Sequence, residues 1–165
     1  MSSIHASCVV LDGKGVLIRG ASGAGKSQLA HMIILRAPLY GREAILVADD
    51  RVLLERYGGE VRASAPDNLK GLLEIRGLGI AHMPNLQDVC LGVVIDLVPP
   101  SELPRLPEPI LLTTEIAGVT MPRAFAATPE RGLDILLTMF GQAGAVIDCH
   151  EPLAPLHQDG KSKQP

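Results

Sequence analysis

The sequence has no tryptophan, two tyrosines and two phenylalanines in 165 residues. A core so poor in aromatic residues must be built from Leu, Ile, Val and Ala, and few flat side chains are left for stacking on bases. Basic residues are not in excess either: 15 Lys and Arg stand against 18 Asp and Glu, a formal charge of −3. That balance argues against a nucleic-acid partner held mainly by phosphate contacts. No apolar run approaches the ~18 residues of a membrane helix, so no membrane partner is expected. The opening MSSIHASCVVLDG has neither the basic start nor the long apolar stretch of a signal peptide. Three cysteines, Cys8, Cys90 and Cys149, are odd in number and far apart. They read as buried small hydrophobes in a reduced, cytoplasmic protein rather than as a disulfide framework. Cys149-His150-Glu151 lacks a second ligand pair at a recognised spacing, so it does not make a metal site.

What is present is apolar material, 47% of the chain, which excludes extended disorder and suits one domain with a real core. The spacing predicts short strands at 6–11 and 15–18 around a DGKG turn, then a helix from Ser27. Leu29, Met32 and Ile33 give that helix its buried stripe, and Pro38 stops it. A buried strand is expected at 44–48, more extended chain at 52–54, and a loop at 64–68. LLEIRGLGIAHM follows, broken by Gly77 and Gly79, and then a β-branched strand at 89–97. The five prolines between Val98 and Pro109 predict an exposed irregular loop. A strand at 110–114, a helix at 132–140 and a strand or helix continuation at 143–147 complete the reading. The fold class is α/β: a single P-loop-containing domain over 1–156, with a mixed β-sheet flanked by helices and a polar tail at 157–165.

The P-loop is the segment Gly20-Ala21-Ser22-Gly23-Ala24-Gly25-Lys26-Ser27. It leaves a strand and opens a helix. Its glycines let backbone N–H groups approach phosphate oxygens, and the helix start adds partial positive charge. Lys26 supplies a cation for the β- and γ-phosphates, and the Ser27 hydroxyl can ligate Mg²⁺. The implied cofactors are therefore ATP and Mg²⁺. A P-loop alone does not separate hydrolase, kinase and regulatory binder. ILVADD brings two carboxylates, Asp49 and Asp50, to the end of a buried strand. Successive strand side chains point opposite ways, so one carboxylate can face the metal and the other a hydroxyl acceptor. Glu74 and Arg76, two apart on an extended segment, are expected on one face.

Four elements in order, HAS at 5–7, GASGAGKS at 20–27, LVADD at 46–50 and LLEIRGLGI at 72–80, resemble HPr kinase/phosphorylase, and in particular its catalytic domain. The match is close over the first half of the chain and loose over the second. The resemblance implies an ATP- and Mg²⁺-dependent protein serine kinase acting on an HPr-type phosphocarrier, with the reverse phosphorolysis of phosphoserine as a second activity. It implies His5 as a catalytic histidine, Lys26 on the phosphates, and Ser27 and Glu74 on Mg²⁺. Asp50 is then the base that takes the serine proton, with Asp49 assisting. Arg76 belongs to the segment used in both directions, and Arg105 matches an arginine of a loop over the site. The resemblance also implies a homo-oligomer and a short form made of the catalytic domain alone. The segment TMPRAFAATPERG, with Arg123 and Arg131 as its cations, departs from the family's basic, proline-rich counterpart. Two other readings of the same residues are a small-molecule kinase closed by the proline-rich loop, and an ATP-sensing module without turnover.

Overall fold

The structure is a computed structural model that describes residues 1–141. The expectations for 143–147, for Cys149-His150-Glu151 and for the boundary between 156 and 157 lie outside those residues. One large mixed sheet organises the chain. It runs in the order β1 (Ser2–Ile4), β5 (Val52–Tyr57), β6 (Glu60–Ser64), β9 (Asp88–Leu97), β3 (Lys14–Gly20), β2 (Ser7–Leu11), β4 (Ala44–Ala48). The sheet forks at the ten-residue β9. Its first residues pair antiparallel with β6, and its last four pair parallel with β11 (Val119–Ala126), which carries β10 (Thr113–Ile116) outside it. A separate hairpin, β7 (Leu72–Ile75) and β8 (Gly79–His82), stands apart from the main sheet.

Alternation along the central strands makes two cores. Val9, Leu11, Val16, Ile18, Val93 and Ile95 face α1 (Lys26–Arg36) and α2 (Pro129–Gly141). Cys8, Val10, Leu17 and Val94 face the other way and are covered by the sheet itself, through Val52, Leu54, Val61, Ala63, Ile116 and Met121. The mixed sheet flanked by helices is thus observed, with both helices on one face and curled strands closing the other. Burying a Leu, Ile or Val side chain is worth roughly 1.5–3 kcal/mol, so two such layers hold the strands with little aromatic packing beyond Phe140.

Several strands differ from the reading above. β1 and β6 were not expected. β6 shows clean alternation, Val61 and Ala63 in, Glu60 and Arg62 facing outward, but alanine gives a weak apolar signal. β11, like β1 and β6, lies where no element is expected. It stays a strand because Pro122 sits where β11 changes partner, from β10 over 119–122 to β9 over 123–126. The strand expected at 110–114 begins at Thr113, after a 3₁₀ turn over Pro109–Leu112. Helix α1 ends at Arg36, and Pro38 falls in a 3₁₀ turn after it. The DG turn at Asp12 and Gly13 has φ 48° and 77°, the mirror-type hairpin turn that matches strand twist. Among the described residues no helix is long and apolar enough to cross a membrane.

Candidate active site

The glycine loop joins the end of β3 to the start of α1, at the carboxyl ends of the parallel strands β3 and β9. Two of its glycines are required by space as well as by angle. A Cβ on Gly20 would lie 2.8 Å from the Leu97 carbonyl oxygen, and one on Gly25 2.6 Å from Pro129 Cγ. Gly25, at φ 97°, is the N-cap of α1, and no side chain caps the helix. Its first N–H groups are therefore left for a ligand, and an anion is the natural one. Lys26 is buried and folds back over the loop, donating from Nζ to the carbonyls of Gly20 at 3.0 Å and Ala21 at 2.9 Å. Burial pushes its ammonium pKa below the usual 10.5, while the nearby Asp49 and Asp50 carboxylates pull it back up.

The two aspartates occupy different surroundings. Asp49 is buried. Its Oδ1 accepts from Ser7 Oγ at 2.5 Å and from Ser27 Oγ at 2.9 Å, and its Oδ2 accepts from the Glu74 N–H at 3.2 Å. Asp50 is exposed and has φ 64°. It is the centre of a tight turn in which the Arg51 N–H donates to the Asp49 carbonyl at 2.7 Å. A left-handed residue in so tight a turn is a costly conformation of the kind found at functional sites. Strand alternation was expected to separate the two carboxylates; the separation comes from this turn. His5 stands over it, with Nδ1 2.9 Å from the Asp50 carbonyl and 3.2 Å from its Oδ1. Both neighbours are acceptors, so Nδ1 carries the proton and Nε2 is the free nitrogen.

A β-bulge aims Asp49. β2 and β4 pair Leu11 with Ala44, Val10 with Ile45 and Val9 with Leu46, and then Cys8 with Ala48. Val47 is the extra residue. The slip of one places Asp49 opposite Ser7, on the face of α1. Without it Asp49 would lie opposite Ala6, whose side chain packs in the core away from the helices.

The remaining sequence-predicted residues are placed less centrally. Glu74 sits on β7 and reaches Asp49 through its backbone N–H, while its side chain is exposed. Arg76 lies beyond the end of β7, in the turn to β8, so the expectation that Glu74 and Arg76 share a strand face does not hold. In that turn Gly77 and Gly79 have φ 87° and 106° with open space around them, so angle rather than close approach requires glycine. Arg105 is exposed between two 3₁₀ turns and makes no hydrogen bond or ion pair among the described residues. The hard oxygens of Ser27 and Asp49, side by side, are the donor set that suits Mg²⁺. Among the described residues no three His, Cys, Asp or Glu side chains gather into a metal-binding group.

Two features were missed in the sequence. One is Ser7, fully buried yet hydroxyl-bonded to Asp49; its only signal is a polar residue at the start of an apolar strand. The other is Asp96, near the end of β9. It takes Arg19 in a two-pronged pair at 2.7 and 2.8 Å and Arg123 at 2.6 Å. Arg123 also stacks 4.2 Å from the centre of the Phe125 ring. Arg19 immediately precedes Gly20, so this cluster fixes the strand from which the loop departs. An aspartate inside the apolar run VVIDLV was the available signal, because a buried acid needs partners. A cavity of about 500 Å³ lies elsewhere, between Lys14, Val61, Leu91, Met121 and Phe140, and includes none of these site residues.

The model of the HPr serine kinase C-terminal domain family matches residues 1–89. An HPr kinase/phosphorylase from Brevibacillus brevis is 32% identical over 151 residues, covering 82% of this chain and 45% of that protein. One from Lactobacillus acidophilus is 42% identical over 86 residues, covering 52% of this chain and 25% of that protein. The chain thus spans less than half the length of these two relatives. Among solved structures, the Hpr(Ser) kinase/phosphatase from Coxiella burnetii shares a TM-score of 0.72 at 27% identity, over 85% of this chain and 97% of that one.

Proposed function

The chain belongs to the HPr serine kinase C-terminal domain family, and on that premise we propose that it transfers the γ-phosphoryl group of ATP to a serine of an HPr-type phosphocarrier protein. The observation that carries the reading is the division between the aspartates. Asp49 is buried on the P-loop serine, while Asp50, its neighbour, is open to solvent and held by His5. An exposed base suits a hydroxyl presented by another protein better than a small molecule sealed in a pocket.

In this reading the loop N–H groups and Lys26 fix the β- and γ-phosphates. Ser27 and Asp49, with Glu74 from the adjoining hairpin, would hold Mg²⁺, which when bound neutralises charge on the phosphate tail. Asp50 takes the proton of the incoming serine hydroxyl as its oxygen bonds to the γ-phosphorus. The bond from that phosphorus to the β-γ bridging oxygen breaks, and ADP leaves. His5 orients Asp50 through Nδ1–H. Arg76, in the turn of the hairpin that carries Glu74, serves both directions of the transfer, and Arg105, in the loop after β9, offers a cation toward the transferred group. Most of the acceleration comes from positioning and fixed charge. In the reverse direction an oxygen of inorganic phosphate bonds to the phosphoserine phosphorus, the bond from that phosphorus to the serine oxygen breaks, pyrophosphate leaves, and the same carboxyl returns the proton to the serine oxygen. We place this activity in the cytoplasm, in an oligomer of identical chains, whose size light scattering reads directly.

The test is incubation with ATP, Mg²⁺ and a purified HPr-type protein, followed by intact mass. A gain of one phosphoryl group on serine is expected. Transfer to a low-molecular-weight acceptor alone would assign a small-molecule kinase. ATP binding with no transfer to any acceptor would leave a sensing module.

A further inference from the structure

We infer that Ser7 is a positioning residue that holds Asp49 on the P-loop serine and off the P-loop lysine, so that the cradle stays open to a nucleotide. The inference rests on the nucleotide-binding part of the proposed function and adds a residue that reading does not use.

Lys26 and Asp49 are both buried, and Asp49 bonds at 2.9 Å to Ser27, the residue next to Lys26, yet no ion pair joins the two. In a buried setting a lysine and a carboxylate this near would relax into a direct ion pair, since the attraction is strong where water is excluded. Such a pair would pull Nζ across the loop and occupy the space of the phosphates. Here the two are kept apart by bonds to other groups. Lys26 is satisfied by the carbonyls of Gly20 and Ala21. Asp49 is satisfied by two hydroxyls and one backbone N–H. Of these three donors, Ser27 is the one that a metal would recruit and the Glu74 N–H belongs to a separate hairpin. Ser7 is the donor built into the main sheet. It is fully buried, its hydroxyl lies 2.5 Å from Oδ1, and the Val47 bulge is what sets it opposite Asp49. A hydrogen bond to a charged acceptor is among the stronger kinds, so its loss is large enough to release the carboxylate.

The experiment uses the full chain and ADP without Mg²⁺, read by a fluorescent ADP analogue. Ser7→Thr keeps the hydroxyl, whereas Ser7→Val has the same shape without it, so that pair separates the hydrogen bond from packing. Ser7→Ala guards against a strained β-branched residue. Ser7→Ala and Ser7→Val are expected to bind ADP about tenfold more weakly than the original protein, as the loss of one charge-assisted hydrogen bond would allow, and Ser7→Thr as well as it. The decisive arm is Ser7→Ala with Asp49→Asn. A neutral amide at position 49 cannot trap Lys26, so the double variant should recover the affinity of Asp49→Asn alone. Ser7→Val binding as tightly as Ser7→Thr, or a Ser7→Ala loss that persists in the Asp49→Asn background, overturns the inference. Original protein that binds no ADP would instead sink the nucleotide reading itself.

Discussion

Ser27 and Asp49 meet at 2.9 Å, the serine in the first turn of α1 donating to a carboxylate at the end of β4. The contact joins the glycine loop to the acidic pair, the arrangement on which the proposed chemistry depends.

Asp50→Asn should lower phosphoryl transfer by roughly 10²–10⁴, the usual worth of a general base, and leave ADP affinity within about twofold. Asp49→Asn should instead weaken the Mg²⁺-dependent part of nucleotide binding as well. Intact mass and fluorescence titration read the two effects separately. Full transfer by the Asp50 variant would move the base to Asp49.

Lys26 makes binding pH-dependent with a definite sign. Its pKa is depressed below 10.5, chiefly by burial. Bound phosphates favour the charged form and raise it. Between the depressed value and the raised one, the complex therefore holds more protons than the empty protein. Nucleotide binding should take up protons and weaken as pH rises through that alkaline window. For folding, the unfolded lysine titrates at the usual 10.5 and binds more protons than the folded one over the span below it, so stability contributed by this group rises with pH there. Calorimetry of ADP binding in buffers of different ionisation enthalpy checks the proton uptake. Lys26→Met should abolish it.

Gly25→Ala and Gly23→Ala separate space from angle. Both have positive φ, but a methyl at 25 meets Pro129 at 2.6 Å and one at 23 meets nothing within 4 Å. The first should cost about 2–4 kcal/mol, strain plus overpacking, and the second about 1 kcal/mol. Urea denaturation gives both values.

Asp96→Asn leaves two guanidinium groups sharing a neutral amide. Removing one partner of a buried pair costs about 3–5 kcal/mol. The arginines here are still about a quarter exposed, so about 2–3 kcal/mol is expected after that discount for solvent screening. Removing Arg123 as well should recover part of it, and a double-mutant cycle on melting temperature measures how much.

The Cys8 thiol, fully buried, has its pKa pushed up to about 12 by burial. It should resist a thiol-specific reagent at pH 8 until the protein is unfolded, as peptide mapping would show. Rapid labelling in the native protein would contradict the β2 packing.

Much of the site was legible in the chain. Glycine spacing, the lysine and the serine follow from what a phosphate cradle requires, and the strand ending in ADD follows from an apolar run stopped by charge. The strands 60–64 and 119–126 were not legible. Alanine carries little apolar signal, and a proline reads as a breaker unless its strand is known to change partner at that point. The Glu74 and Arg76 expectation failed for a related reason, because a strand's length is set by its partner and β7 ends at Ile75.

By itself the sequence determined that a glycine-rich loop of the P-loop pattern stands between a strand and a helix and that two carboxylates end a nearby buried strand, since both depend on local residue types and short spacing. Which carboxylate turns toward the loop was decided in three dimensions. One extra residue at Val47 in the pairing of β2 and β4 brings Asp49 across from Ser7 and onto the helix face, and a left-handed turn at Asp50 sends its neighbour to solvent. Register between strands more than thirty residues apart is a property of packing, because a slip of one reverses every side chain.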